Sequence, residues 1–443
     1  MRSIKTVVIA CTALLAAVAP WRGGAEHFQA TPSDYAAKLL RLAAGDTLML
    51  EPGIYRAGLR LHQLQGTPDK PIVITGPAGS SATFLAASGR NTISILNAAH
   101  LVVKNLVLDG QGLPVDGVKC EGHAEWAHHI TLENLIIRGH GNNQQTVGIS
   151  TKCPAWNWVI RHNVIEGAGT GMYLGNSDGR APFIAGLIEH NLIVDTLGYN
   201  LQIKHQQPRP ALPGMPNEKS ATIIRHNVFS KAQGGSKEMA RPNVLVGHWP
   251  LAGPGADDQY FIYGNFFYQN PHEALFQGEG NIALYNNLFV NHAGDAVRIQ
   301  PHNDTPRDVA VFRNTVMAKG AGITLARREG DPPYPQLVSA NSLFANPPLH
   351  GAAMEMNLTG SFDQAGDYLV RPFAPLGEMD LRPKAGKGSK KAKAKTHFEI
   401  YPEADRDFDV SLRGADVVGA YAPEKKGLRW LPVLEIKPPA GER

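Results

Sequence analysis

Nine segments of this 443-residue chain repeat one pattern, and no other feature constrains the fold as strongly. VVKNLVLDG, TLENLIIRG, VIRHNVIEG, LIEHNLIVD, IIRHNVFSK, IYGNFFYQN, LYNNLFVNH, VFRNTVMAK and SANSLFANP place asparagine at positions 105, 134, 163, 191, 227, 265, 287, 314 and 341. The intervals, 22 to 38 residues, lie in the range that marks solenoids. Apolar and polar residues alternate before each asparagine, as in a strand that bends at a corner, and helical spacing is absent. If each repeat is one coil, the asparagines stack about 4.8 Å apart. Their amides can then satisfy one another and the neighbouring backbone inside the bend, so their first role is structural. His162, His190 and His226 flank this ladder on successive coils. They fit either ring stacking or a metal, and stacking is the simpler reading.

A chain of this length exceeds the roughly 250–300 residues at which one compact core stops growing, whereas a solenoid grows in one dimension. A second strand series supports that solution. Aligning the tetrapeptides that start at Val118, Ile149, Met172, Leu201, Val244, Leu275, Val297 and Ile323 puts nearly every first and third residue in an apolar column, with the alternate residues facing out. Ahead of the repeats, Thr31-Pro32-Ser33-Asp34 reads as a helix start, and Ala36, Leu39, Leu40 and Ala43 form an apolar stripe.

Together with the strand GDTLMLEPGIYR at residues 45–56, the repetition resembles the pectate-lyase-like right-handed parallel β-helix superfamily over roughly residues 30–420. The implied fold is all-β, a right-handed solenoid of about nine to eleven coils with an N-terminal capping helix. The expected organisation is a leader over 1–25, a cap over 26–46, coils over 47–381, a flexible lysine-rich segment over 382–396 and a closing segment over 397–443.

The compartment is read from the N-terminus. Arg2 and Lys5 precede an apolar run from Val7 to Ala19, too short to span a bilayer and placed as in a signal peptide. Cleavage after Ala25 is preferred to cleavage after Ala19; Val8 to Cys11 also fits a lipoprotein box, though most of the apolar run follows it. The protein is therefore expected to be secreted or periplasmic, with no transmembrane segment. Cys120 and Cys153 then remain. The aligned strands set Cys153 two positions further along the next coil, which argues mildly against a disulfide. The formal charge of +4 is misleading, because Arg382 to Lys395 alone holds seven cations and the leader adds Arg2, Lys5 and Arg22. The rest of the chain is net acidic. No nucleic-acid module is present in the sequence, and a monomer is expected.

Chemistry is expected where the repeat is irregular, since extra residues between coils become loops on one face. The two longest intervals, 36 and 38 residues, flank Leu201 to His205 and Val244 to His248. Their outward residues include Gln202 and Lys204, with His205 and His248 at the strand ends. Neighbouring coils add Tyr173, Asn176, Glu279, Arg298, Gln300 and His302, and loops 206–220 and 231–243 are expected to wall the strip.

That composition suits an acidic polysaccharide. β-Elimination from a uronate needs a cation on the carboxylate, a base at C5 and an acid for the departing oxygen. Lys204 is the candidate base, Arg241 or Arg298 the carboxylate partner, and His205 or His248 an acid or alternative base. Alginate lyases and chondroitinase B of this fold use a lysine with an arginine one coil on, and Lys204 followed by Arg225 or Arg241 resembles that arrangement. The acidic calcium ligands that the resemblance implies are not found, with Asn200 and Gln202 in the neighbouring positions, so no cofactor is expected and calcium stays an open alternative.

Two other readings stay open. Inverting hydrolysis would match Gly139-His140-Gly141 and Arg298-Ile299-Gln300 to polygalacturonase motifs, but needs a carboxyl pair, with Asp178 and Asp195 the best candidates. A non-catalytic glycan binder would stack sugars on Trp249, Trp126, Trp156 or Trp158.

Overall fold

The computed structural model describes residues 24–79, 81–332, 334–351, 356–389, 398–414, 416–422 and 430–440. The chain winds as a right-handed parallel β-helix whose coils, apart from those at the two ends, contribute a strand to each of three parallel sheets. Sheet I holds fourteen strands, twelve of them on one path from His27–Ala30 to Gln336–Ser339. Sheet II runs through twelve strands from Gly53–Tyr55 to Leu358–Gly360, and sheet III through eleven from Leu59–His62 to Leu349–His350. The asparagine motif thus undercounts the coils: at the N-terminal end strands such as Ile72–Thr75 stack in register without it.

The asparagine corner joins sheet I to sheet II. Asn163, Asn191, Asn227, Asn265, Asn287, Asn314 and Asn341 are fully buried. Each donates Nδ2–H to the Oδ1 of the next, at 2.9–3.0 Å, and Asn357 extends the row. Each Oδ1 also accepts a backbone N–H from the coil before, as Asn191 does from Asn163 at 3.0 Å. A buried amide is thereby satisfied by its own repeat, which is why the residue recurs.

Two repeats depart from the expected register. Glu133 pairs with Arg161, so Asn134 aligns with His162 and Leu135 with Asn163. Asn105 and Asn134 therefore occupy the left-handed position of the corner, at φ 58° and 53°, where later coils carry His162, His190 and His226. Asparagine tolerates that conformation, so one residue type serves two adjacent columns. The three histidines stack, with ring centroids 5.2 and 5.0 Å apart. The ring nitrogens of His190 and His226 are engaged: His190 Nδ1 by the Lys437 carbonyl, and His226 by Lys437 Nζ and Glu403.

Near the N-terminus His27–Ala30 forms the first strand, paired with Thr47–Leu50, and the helix is confined to Tyr35–Leu39. Tyr35 and Leu39 are buried, and the Tyr35 ring stands edge-on to Tyr55 and Phe84. Residues 1–23, which hold most of the expected leader, and residues 390–397, which hold part of the lysine-rich segment, lie outside the described residues. Among the described residues no helix is long and apolar enough to cross a membrane.

Cys120 and Cys153 form a disulfide, with Cα atoms 6.2 Å apart, against the expectation from strand register. Cys120 pairs with Thr151, where its strand ends, and the chain turns before Cys153 instead of running on. The turn removes the sideways offset that a straight strand would have imposed.

The C-terminal part covers two outer faces. Phe362, Leu369, Leu381, Phe408 and Tyr421 pack on Val228, Phe266, Leu288, Met317 and Phe344, which lie outside the main core. Phe398, Tyr401 and Val418 pack on a row of rings, Tyr263, Tyr285 and Phe312, on the outside of sheet I.

Candidate active site

Sheet III keeps an open outer face. Its outward column reads Lys119, Ser150, Tyr173, Gln202, Leu245, Gln277, Arg298 and Thr324 from coil to coil. The expected alignment slips by one at Leu275: Val244 pairs with Phe276, which points into the core, and Gln277 faces out. Leu275 is itself buried, so two apolar residues in sequence hid which one belonged to the inner column.

Two residues further on, the same strands present Lys152, Gly175, Lys204, Gly247, Glu279 and Gln300. Lys204 thus stands between two glycines. A Cβ on Gly247 would lie 2.3 Å from the His205 nitrogen, and one on Gly175 would touch the Lys204 Cβ at 3.4 Å. The glycines let the backbones close up and leave the flanks of Lys204 clear of side chains.

A cavity of about 370 Å3 opens over this patch, lined by Tyr199, Gln202, Lys204, His205, Arg241, Glu273, Gln277, Glu279, Arg298, Gln300, His302 and Asn303 among others. A second, of about 400 Å3, is lined by Asp116, Lys119, Gln144, Lys152, Tyr173 and Ser177 and shares Tyr199, Gln202, Lys204 and Arg241 with the first. The two make one groove along the coil axis, with Lys204 and Arg241 at its middle.

Of the residues singled out from sequence, Tyr173, Gln202, Lys204, His205, Arg241, Glu279, Arg298, Gln300 and His302 line this groove. The others do not. His248 lies behind His205, ring centroids 5.6 Å apart, with Nδ1 on the Trp249 carbonyl. Asn176 turns the chain after its strand and caps Ser177. Arg225 is on sheet I, paired with Glu189 and Glu403, because its position precedes the asparagine corner. Trp249 is buried and stacks on Tyr260 inside the coils, out of reach of a sugar.

Trp156 and Trp158 are likewise fully buried. His140 is buried with Nδ1 on the Val115 carbonyl. Asp178 and Asp195 cap loop nitrogens and do not line the groove. Loop 231–243 walls the groove through Ala240, Arg241 and Pro242. Loop 206–220 lines neither cavity: Leu212 and Met215 fold onto Trp156 and Ile184, and Arg209 forms a buried ion pair with Asp258.

The electrostatics favour proton transfer. Burial lowers the Lys204 pKa, opposed by Glu279. Burial and then Lys119 lower Lys152 to about 8, with its ammonium 3.2 Å from the centre of the Tyr173 ring. Burial, Lys204 and His248 together lower His205, which is neutral at pH 7. Burial raises the Tyr173 and Tyr199 phenols, which stay protonated. Glu279 is buried and accepts hydrogen bonds from Asn303, while Arg298 pairs with Asp295 at 2.9 Å. Arg241 is held through its neighbours: Lys231 Nζ and Asn270 Nδ2 both donate to its carbonyl. Its guanidinium lies 5.9 Å from the Tyr199 ring and hydrogen-bonds the Ala240 carbonyl. Among the described residues, no three His, Cys, Asp or Glu side chains converge in this groove as metal ligands would.

Sequence reasoning missed Lys152 and Tyr199, and with them the acids Glu273 and Asp116. Lys152 had a visible signal, since it follows its strand as Lys204 follows Leu201 to Ile203. Tyr199 and Glu273 precede their strands, where no column was aligned.

No family model and no curated protein sequence matches the chain. Solved structures do. The PL6 family alginate lyase AlyGC is matched at 14% identity and a TM-score of 0.40, over 75% of this chain and 50% of that one. An alginate lyase from Paenibacillus sp. is matched at 15% identity and a TM-score of 0.37, over 76% of this chain and 99% of that one. The Azotobacter vinelandii mannuronan C-5 epimerase AlgE4 A-module is matched at 14% identity and a TM-score of 0.36, over 75% and 89%.

Proposed function

We propose that this chain is a secreted or periplasmic polysaccharide lyase that cleaves a uronate-containing polymer by β-elimination. The observation that carries the reading is the groove itself, an open channel with Lys152, Lys204, Arg241 and Arg298 along its floor and wall. The disulfide and the leader-like N-terminus support an oxidising compartment outside the cytoplasm.

In this reading Arg241, with Arg298 beyond it, pairs with the substrate carboxylate and makes the C5 proton more acidic. Lys204 in its neutral form takes that proton, and burial makes the neutral form accessible. Neutral His205 is the alternative base. The C5–H electron pair becomes the C4–C5 double bond, the C4–O bond breaks, and the leaving oxygen takes a proton from a phenol, Tyr199 or Tyr173. Proton transfer and charge neutralisation are assigned to the chain's own side chains.

Glu273 and Glu279 favour a second reading, hydrolysis, because both carboxylates line the same cavity. One assay separates the two. The protein is incubated with alginate, pectate, glucuronan and glycosaminoglycans, with calcium or with chelator, while ultraviolet absorbance of new double bonds and reducing ends are followed together. Elimination raises both in step. Reducing ends without absorbance would establish hydrolysis, and binding without either would leave a lectin.

A further inference from the structure

On sheet I, away from the groove face of the turns that carry Lys119 and Lys152, two consecutive coils kink in the same way. Ala99 pairs with His128 and Leu101 with Ile130, while His100 and His129 between them adopt left-handed conformations at φ 52° and 53°. The kink lays the His129 ring over that of His100, centroids 4.3 Å apart. His128 stands edge-on to both and is stacked on the buried Trp156. One ring nitrogen from each of the three histidines falls within 4.8 Å of the other two. All three side chains are half-buried, so the ring nitrogens are screened without being sealed.

We propose that His100, His128 and His129 form a binding site for a divalent transition-metal ion of the zinc class, clamping two coils together. The nitrogen chemistry favours it. His128 Nδ1 and His129 Nδ1 are 2.8 Å apart, a pair that can hold only one proton between them. A tetrahedral ion with Zn–N bonds of about 2.0–2.1 Å would take the place of that proton, which moves to the far nitrogen of its own ring, and would set its ligands roughly 3.3 Å apart, with His100 turning out of its stack on His129 to bring in its lone pair. Burial lowers the pKa of all three, His128 to about 4, so each offers a lone pair at neutral pH. His129 also has an outer partner, since Asn157 Nδ2 lies 3.0 Å from its Nε2. As an amide N–H it suits the metal-free tautomer, and with a metal on Nδ1 the amide turns over so that its Oδ1 accepts the Nε2 proton. At the stack of His162, His190 and His226 a cation would instead meet the Lys437 ammonium, 3.2 Å from His226 Nδ1.

Calorimetric titration of tag-free, chelator-treated full-length protein with Zn2+ tests the proposal. Uptake should saturate at about one ion per chain and raise the melting temperature. His100→Asn and His129→Asn keep a residue suited to the left-handed backbone, and each should weaken Zn2+ binding by about tenfold or more. Copper in place of zinc gives a second readout on the unmodified protein, a paramagnetic spectrum that should show three equatorial nitrogens. No saturable uptake, uptake unchanged in both variants, or a copper spectrum without multiple nitrogens would each reduce the cluster to ring stacking.

Discussion

The outer faces of this β-helix divide into two kinds. On the later coils of sheets I and II a row of outward residues is aromatic or aliphatic, as at Tyr285, Phe312, Phe266 and Met317, and the C-terminal segment lies over them. On sheet III the outward column is polar apart from Leu245, and a groove runs along it. Both faces rest on the same interior and the same coil repeat. The difference teaches that this fold separates two tasks by side-chain parity: inward residues hold the coils, and outward residues are free to bind either the chain's own tail or a ligand.

That separation predicts effects that do not cross over. Lys204→Ala, on the open face, should lower turnover of the polymer by about a hundred to ten thousand fold. Its unfolding free energy should stay within about 0.5 kcal/mol of the parent, and a large loss of stability would erase the distinction. Phe408→Ala, under the covered face, should do the reverse. Phe408 is fully buried against Tyr421 and Trp430, with the Lys437 ammonium over its ring. Removing it should cost about 3–5 kcal/mol in denaturant unfolding while turnover at low temperature is kept.

A smaller effect sharpens the account of the groove. Lys152 carries its charge below a pKa of about 8 and loses it above, so affinity for a polyanion should be highest below that pH and fall as pH rises through it. KM measured against pH should show the rise, and Lys152→Gln should flatten it. Arg225→Gln gives the smallest effect. Glu403 is partly exposed, and the glutamine amide can still donate to buried Glu189, so stability should drop by about 1 kcal/mol and turnover should not change.

The fold was legible because a buried asparagine needs a partner on the next coil, and that need leaves one residue per repeat in plain view. The same residue type misled at Asn105 and Asn134, where it serves the left-handed position instead of the ladder. Lys204, Arg241 and Arg298 were legible from the two long intervals around them. Trp249 and Arg225 were not placed correctly, since a one-residue step past a strand or before a corner moves a side chain to another face. The disulfide was hidden by the turn after Thr151, which register alone does not contain.

The asparagine row has a direction. From Asn163 to Asn341 each side chain donates one amide hydrogen to the asparagine of the coil ahead and one to a backbone carbonyl of the coil behind, while every accepting Oδ1 points back. Such bonds polarise one another, so the amide dipoles add along the axis and the interior acquires a sign at each end. An interior coil draws on two polarised neighbours and a terminal coil on one. Fraying should therefore advance inward one amide at a time, and an inserted coil would fit only if it carried its own asparagine to relay the chain of dipoles.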